Sequence, residues 1–184
     1  STEFAIQETG SGNYVSKSTG ALGSVSWGTY TEFGSGSGIT VTGLSAGTNY
    51  TFQIKARNGD LTATAFGNTS TARTKSLVQN LPGSVASVVL ATDGTTDVTS
   101  SAQTGTKTVR LRKSGSIQVV DFPHNFDSDN LSLTSVTMDS DATLKKAFVT
   151  GIAAVHSLYI PKGSSDNQVI ICPNATSLSE VAVG

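Results

Sequence analysis

A stretch of strict alternation between apolar and polar side chains, residues 50–56, constrains the fold more than any other feature of the sequence. Its apolar positions are Tyr50, Phe52, Ile54 and Ala56, with Thr51, Gln53 and Lys55 between them. Because successive side chains of a β-strand point to opposite faces of the sheet, this period of two predicts a strand with one buried face. Sustained helical periodicity is missing, and only residues 144–147 and 177–181 could form a short helical turn. We therefore expect an all-β protein.

Other alternating or β-branched stretches predict further strands. The N-terminal ones are residues 4–8, 14–16, 25–30 and 39–42, separated by Gly- and Ser-rich turns. Arg57-Asn58-Gly59-Asp60 predicts a type I′ hairpin turn into a strand over residues 61–66, because Asn-Gly readily adopts the positive φ values of that turn. The C-terminal predicted strands are residues 85–90, 97–102, 106–112, 116–122, 131–138, 147–152, 156–160, 168–172 and 180–183. Their spacing favours a second sandwich, with a β-solenoid as the alternative.

The length of the chain allows two domains. At 184 residues, with a Leu81-Pro82-Gly83 break, the sequence predicts a first domain over residues 1–75, a linker over 76–83 and a second all-β domain over 84–184. Cys172 is the single cysteine, so we expect no internal disulfide and interpret Cys172 as a small buried apolar residue.

The charge composition argues against two classes of partner. With 12 basic and 13 acidic residues, the net charge is −1, and no strong field would attract nucleic acid or an anionic membrane surface. No apolar run approaches the roughly 20 residues that a membrane-spanning helix needs. We expect neither nucleic-acid binding nor membrane insertion.

Residues 43–56, Gly-Leu-Ser-Ala-Gly-Thr-Asn-Tyr-Thr-Phe-Gln-Ile-Lys-Ala, carry a family pattern. With Leu44, Thr48 and Tyr50 at the corner positions, the segment resembles the E–F corner and F strand of a fibronectin type III domain, as found in many bacterial surface proteins and secreted glycosidases. Ala46 stands where that family often has Pro. The resemblance implies that Tyr50 is a tyrosine corner whose hydroxyl bonds back to nearby backbone, with Leu44 as a second structural residue.

The same resemblance implies that the first domain is incomplete. Residues 39–42 would be strand E and residues 4–8 strand C, so no sequence remains for strands A and B. The chain begins without Met and runs straight into a predicted strand, which we interpret as the start of an excised piece. Three explanations fit the missing strands. They were lost by cleavage or truncation, the C-terminal half of the chain supplies them, or another chain supplies them. We expect an incomplete fibronectin type III-like sandwich followed by a second β-sandwich-like domain.

The sequence offers no catalytic constellation. His124 and His156 lie 32 positions apart, and no Ser occupies a G-x-S-x-G elbow, so we expect a protein that is not an enzyme. The clusters of acidic residues fit turns, because Asp and Asn side chains in turns hydrogen-bond to their own backbone. A calcium site is the alternative for these carboxylates, which are Asp127, Asp129, Asp139 and Asp141. We expect no other cofactor.

One aromatic cluster admits two interpretations. Trp27 and Phe33 are an even number of positions apart and would share a strand face, with Tyr30 on the other. The pair either packs in the first domain's core or forms a platform on which a sugar stacks.

Two functions fit these patterns. The first is a non-catalytic extracellular structural or adhesive segment, such as a cell-surface, S-layer or fibre subunit, whose partners are other copies of itself or other surface proteins. The second is a carbohydrate-binding or spacer module of a secreted polysaccharide-degrading enzyme, with a polysaccharide as partner. Both place the protein at the cell surface or outside the cell.

Overall fold

The protein is all-β, as the sequence predicts. The computed structural model describes residues 1–161, 164–165, 172 and 174–181. Within them, the strands are β1 (Glu3–Glu8), β2 (Tyr14–Val15), β3 (Leu22–Gly23), β4 (Asn49–Arg57), β5 (Ser70–Arg73), β6 (Val78–Gln79), β7 (Ser87–Leu90), β8 (Thr106–Lys113), β9 (Ile117–Asn125), β10 (Leu131–Ser132), β11 (Thr137–Asp141), β12 (Lys146–Thr150) and β13 (Ser157–Leu158). The only helical segments described are two 3-10 turns of three residues each, Ser35–Ser37 and Ser114–Ser116.

The chain divides into two compact units, Ser1–Thr74 and Lys75–Gly184. The predicted linker over residues 76–83 is wrong, because this segment belongs to the second unit. Ser76 and Val78 are buried there, and β6 pairs in parallel with β10. The Pro-Gly dipeptide that suggested a boundary lies in a turn within that unit, where the Val85 N–H donates to the Pro82 carbonyl.

The first unit contains one five-stranded antiparallel sheet in the order β3-β2-β1-β4-β5. Its centre is the pairing of β1 with β4, in which Phe4 lies opposite Ala56 and Ile6 opposite Ile54. The predicted strand over residues 50–56 is confirmed, and so is the strand over residues 4–8. Because paired residues share a face, the larger apolar side chains of β1 and β4 line the same side of the sheet, and Ala5, which pairs with Lys55, lies on the other side.

Two predicted strands of the first unit are wrong. In residues 25–30 only Gly28 is paired, by an isolated bridge to Phe4, and in residues 39–42 only Thr42 is paired, by a bridge to Ala21. A ladder needs a partner strand alongside. Among the described residues, no strand runs alongside residues 39–41.

The hairpin after β4 forms, but with a different turn and a different return strand. Neither Asn58 nor Gly59 has a positive φ, so the type I′ prediction for residues 57–60 is wrong. The Asn58 side-chain oxygen accepts two backbone N–H groups of the loop, at 3.1 and 3.0 Å, which holds Asn58 before the turn rather than at its centre. Leu61 instead takes the left-handed position, with φ 63°. Residues 61–66 pair only at one bridge, and β5 is the return strand.

The second unit is built on a four-stranded antiparallel sheet in the order β13-β9-β8-β7. The β11–β12 hairpin and the parallel pair of β6 and β10 complete its described strands. One cluster of buried side chains draws on these elements: Val78, Val85, Val88, Val98, Val109, Leu111, Val119, Val120, Phe122, Phe126, Leu131, Leu133, Val136 and Met138. This unit therefore has its own hydrophobic core.

Several predictions for the second unit need correction. Residues 97–102 make no strand, and the predicted strand 131–138 is divided between β10 and the start of β11. Residues 144–147 end a turn and begin β12, and residues 177–181 form a turn, so neither is helical. Most of the predicted strands 168–172 and 180–183 lies outside the described residues. Cys172 is described and is partly exposed.

Candidate functional site

The sheet of the first unit has one apolar face whose side chains are only partly covered. We define it by Phe4, Ile6, Tyr50, Phe52 and Ile54, which the register places on one side. Ile54, at the centre of the sheet, is 44% exposed, and the other four are only half-buried.

Few side chains of this unit reach full burial. Among residues 1–74, all of them described, the buried hydrophobic side chains are Ala5, Val15 and Phe33. The second unit, in contrast, buries a core of fourteen side chains within its described part. The first unit is therefore a single sheet whose apolar face lacks a complete covering layer.

Tyr50 makes the contact that a tyrosine corner requires. Its hydroxyl accepts a hydrogen bond of 2.9 Å from the backbone N–H of Ser45. The Thr74 hydroxyl donates to the Ser45 carbonyl at 2.6 Å and accepts the Thr48 N–H at 2.9 Å, so the corner is tied to the end of the unit. Leu44, the second structural candidate, is half-buried at the start of this corner.

Glu8 closes one end of the apolar face. Its side chain is buried, and its carboxylate accepts the backbone N–H groups of Gly10 and Ser11 at 2.9 and 2.7 Å, and the Ser11 hydroxyl at 2.7 Å. The Ser11 hydroxyl and these backbone donors hold the pKa of the Glu8 carboxyl below its usual value. Glu8 was not predicted from the sequence, although an acid shortly before a Gly-Ser-Gly turn is a usable signal.

The opposite side of the sheet carries an aromatic–cation face. The Lys55 ammonium nitrogen lies 5.5 Å from the ring centroid of Tyr14, 5.4 Å from that of Trp27 and 4.8 Å from that of Phe66. All three rings are half-buried. A cation within about 6 Å of a ring face is attracted by the ring quadrupole. The rings therefore form a cage around one ammonium group.

A second cation shares this face. The Arg57 guanidinium carbon lies 4.4 Å above the centroid of the Trp27 ring. The Arg57 Nε donates to the Glu3 carboxylate at 2.7 Å, so its charge is neutralised within the protein. The charge of Lys55 has no such counter-ion among the described residues.

Phe33 does not belong to this surface, so its prediction as a sugar-stacking residue is wrong. Its side chain is only 7% exposed. A Cβ atom added at Gly28 would lie 3.0 Å from the Phe33 ring, and Gly28 pairs with Phe4 on the apolar side. Trp27, the next residue along the chain, contacts Lys55 on the other side. Trp27 and Phe33 therefore lie on opposite faces of the sheet.

The proposed calcium residues are each engaged separately. The Asp127 carboxylate accepts the backbone N–H of Gly105 at 2.8 Å. The Asp129 carboxylate lies 3.4 Å from the His124 Nε2 and is largely exposed. The Asp127 side chain thus joins the turn after β9 to the residue before β8, and the Asp129 side chain contacts the end of β9.

The other two carboxylates lie at the β11–β12 hairpin. Asp139 pairs with the Lys113 ammonium, which holds the pKa of that carboxyl below its usual value. The Asp141 carboxylate accepts two backbone N–H groups of the hairpin turn, at 2.8 and 2.9 Å. Within the described part of the chain, no three His, Cys, Asp or Glu side chains are grouped so as to hold a metal ion. The structure does not bring the four predicted ligands together.

The histidines also lie in separate local contacts. The His124 Nε2 is 3.2 Å from the Asp129 carbonyl oxygen, and the His156 Nδ1 is 2.9 Å from the Ala154 carbonyl oxygen. Neither ring is hydrogen-bonded to a Ser or Cys side chain among the described residues.

A partly buried polar network in the second unit was not predicted. Arg110 on β8 donates to both carboxylate oxygens of Asp121 on β9, at 2.7 and 2.6 Å. The Tyr159 hydroxyl donates to Asp121 at 2.7 Å and accepts from Arg110 at 2.6 Å. The hydrogen bond and charge of Asp121 raise the pKa of the Arg110 guanidinium, and the same carboxylate raises the pKa of Tyr159. The network fastens β8, β9 and the end of β13 together.

Comparison of the chain with protein-family models, with curated proteins and with solved structures finds no match. The resemblance to fibronectin type III domains therefore stays a prediction. None of the helical segments among the described residues has the length and apolar character needed to cross a membrane.

Proposed function

We propose that this chain is a non-catalytic extracellular structural or adhesive segment, such as a cell-surface, S-layer or fibre subunit. In this proposal, a strand from a neighbouring subunit completes the sheet sandwich of the first unit. The observation that carries it is the apolar face, where the central Ile54 side chain is 44% exposed. Exposed apolar sheet surface of this kind marks an interaction site.

The backbone beside this face supports the addition of a strand. In residues 39–42 only the Thr42 N–H makes a backbone hydrogen bond, to the Gly20 carbonyl at 3.1 Å. The N–H groups of Ile39, Thr40 and Val41 donate to no described group. An extended segment with free donors and alternating side chains is a template for β-strand addition. We infer that the incoming strand pairs here and covers the apolar face.

The added strand comes from one of two sources: a second copy of this chain, or another surface protein. Assembly of the purified chain with itself supports the first source. Monomeric protein that polymerises only when a second surface protein is added would support the other.

Sedimentation velocity over a wide range of concentration tests the proposal, with electron microscopy of the most concentrated samples. We expect the wild-type chain to assemble. Ile54→Asp should weaken assembly by at least about tenfold, because a carboxylate would have to be buried under the added strand. Val155→Asp is the matched control, since Val155 is 91% exposed in the second unit and lies off the apolar face.

The fluorescence of Trp27, the only tryptophan, reports whether the Ile54→Asp unit remains folded. A strictly monomeric wild type with no filaments, also in the presence of other surface proteins, would overturn the assembling role. Equal assembly of Ile54→Asp and Val155→Asp would show that the apolar face is not the contact.

A second function, that of a carbohydrate-binding or spacer module of a secreted polysaccharide-degrading enzyme, is favoured by one observation. Trp27 lies half-buried on a sheet face that also carries Tyr14 and Phe66. Polysaccharide retention that disappears in Trp27→Ala, without loss of folding, would support it.

A further inference from the structure

Lys55 is a cation held in place without a counter-ion among the described residues. Three aromatic rings lie within 5.5 Å of its ammonium nitrogen, and each attracts the charge through its quadrupole. Aromatic rings fix the position of an ammonium group, but they have no lone pairs that could accept hydrogen bonds from its three N–H groups. No described residue accepts a hydrogen bond from Lys55, and none forms an ion pair with it. The group is therefore prepared for an anionic acceptor from outside the protein.

The neighbouring side chains extend the site along β4. Gln53, Lys55 and Arg57 alternate onto the same face, and two residues of a strand span roughly 6.6 Å, so the three positions cover about 13 Å. The Gln53 amide nitrogen donates to Gln7 at 2.8 Å, which leaves the Gln53 carbonyl oxygen available to accept a hydroxyl. A row of this length fits an oligosaccharide.

The chemistry of the face selects the class of ligand. The rings offer apolar surface to the C–H groups of a sugar ring, the amide offers hydrogen bonding to hydroxyls, and Lys55 offers a charge to a carboxylate. A nucleic acid would also stack on rings, but its binding draws on several phosphate contacts. Among the described residues of this face, Lys55 is the one cation shown without a counter-ion, and the chain has a net charge of −1.

We propose that the aromatic–cation face binds an acidic saccharide chain whose carboxylate pairs with Lys55 while its sugar rings lie against Trp27 and Phe66. This inference makes the carbohydrate-binding function specific for uronic-acid-bearing chains, and it rests on that function. It does not depend on strand addition, because that process uses the opposite side of the sheet.

The experiment is a titration of the full chain with polygalacturonate, followed by the fluorescence of the single Trp27, which lies in the site itself. We expect a saturable fluorescence change with polygalacturonate and little change with the neutral chain dextran. Lys55→Met keeps the apolar stem of the side chain and should weaken binding about tenfold or more, the loss expected for one charge-assisted hydrogen bond. Lys75→Met removes the same charge from an exposed position and should bind as the wild type does.

Three results would overturn the inference. They are equal affinity for dextran and polygalacturonate, unchanged affinity in Lys55→Met, and equal affinity for polyglutamate or an oligothymidylate, which would show that the face recognises anions in general. Calorimetry with Trp27→Ala repeats the test without the fluorescent probe. Ile54→Asp should retain saccharide binding, so failure of strand addition and failure of this inference remain distinguishable.

Discussion

The network of Arg110, Asp121 and Tyr159 makes a quantitative prediction about the second unit. The side chains of Arg110 and Asp121 are each 12% exposed and are joined by two short hydrogen bonds. Removing one partner from a buried ion pair costs about 3–5 kcal/mol, because the other charge stays buried. Asparagine in place of Asp121 keeps one acceptor oxygen, which offsets about 1 kcal/mol of that cost. We expect Asp121→Asn to lower the free energy of unfolding by roughly 2–4 kcal/mol.

Urea denaturation followed by circular dichroism measures this loss, and hydrogen exchange over β8 and β9 localises it to the second unit. Asp129→Asn is the matched control: its carboxylate is 72% exposed, so the change should be within about 0.5 kcal/mol. Equal stability of Asp121→Asn and Asp129→Asn would refute the reasoning. Equal stability would mean that the attraction between Arg110 and Asp121 only offsets the free-energy cost of removing both charges from water.

Three further variants test the first unit, each by urea denaturation followed by tryptophan fluorescence. Tyr50→Phe removes the acceptor for one backbone N–H and should cost about 1 kcal/mol; no change would contradict the corner's structural role. Because the pKa of Glu8 is lowered in the folded state, its stabilisation is present at neutral pH and lost as pH falls through that pKa. Glu8→Gln should remove this part of the acid dependence, and an unchanged pH profile would contradict it. Gly20→Ala should be far more harmful than Gly43→Ala: both positions have positive φ, but only the added Cβ at Gly20 would meet a backbone oxygen, at 1.9 Å. Similar losses would contradict that close approach.

The sequence predicts the parts of the fold that depend on local pattern. The period of two over residues 50–56 predicts β4 and its apolar face, and the Gly-rich turns separate most of the strands correctly. The contact of Tyr50 with Ser45 is also local, since it spans five residues. Such features need no knowledge of distant parts of the chain.

Features that depend on distant partners could not be predicted in this way. Residues 39–42 alternate as a strand does, yet they lack a neighbour with which to form a ladder. The pairing of β6 with β10 joins segments about fifty residues apart, so residues 76–83 looked like a linker. The separation of Trp27 from Phe33 follows from the bridge of Gly28 to Phe4, which the sequence does not reveal.

The ion pair of Arg110 with Asp121 depends on a β-bulge that the sequence does not reveal. Counting back from the turn at Ser114–Ser116 without a bulge places Arg110 opposite Val120, whereas the bulge beside Arg112 shifts the register by one residue and brings Asp121 opposite Arg110. Opposite charges at facing positions of a hairpin are a recognisable signal only where the register is known. The third member, Tyr159, comes from another strand's end and could not have been found this way either.

Hydrogen exchange at residues 39–42 tests the central claim most directly, because these residues would receive the added strand. In assembled wild-type particles, the amides of Ile39, Thr40 and Val41 should exchange slowly. In the dissociated Ile54→Asp variant they should exchange nearly as fast as free backbone, because they donate to no described group within the chain. Equally fast exchange in both samples would contradict strand addition at this segment.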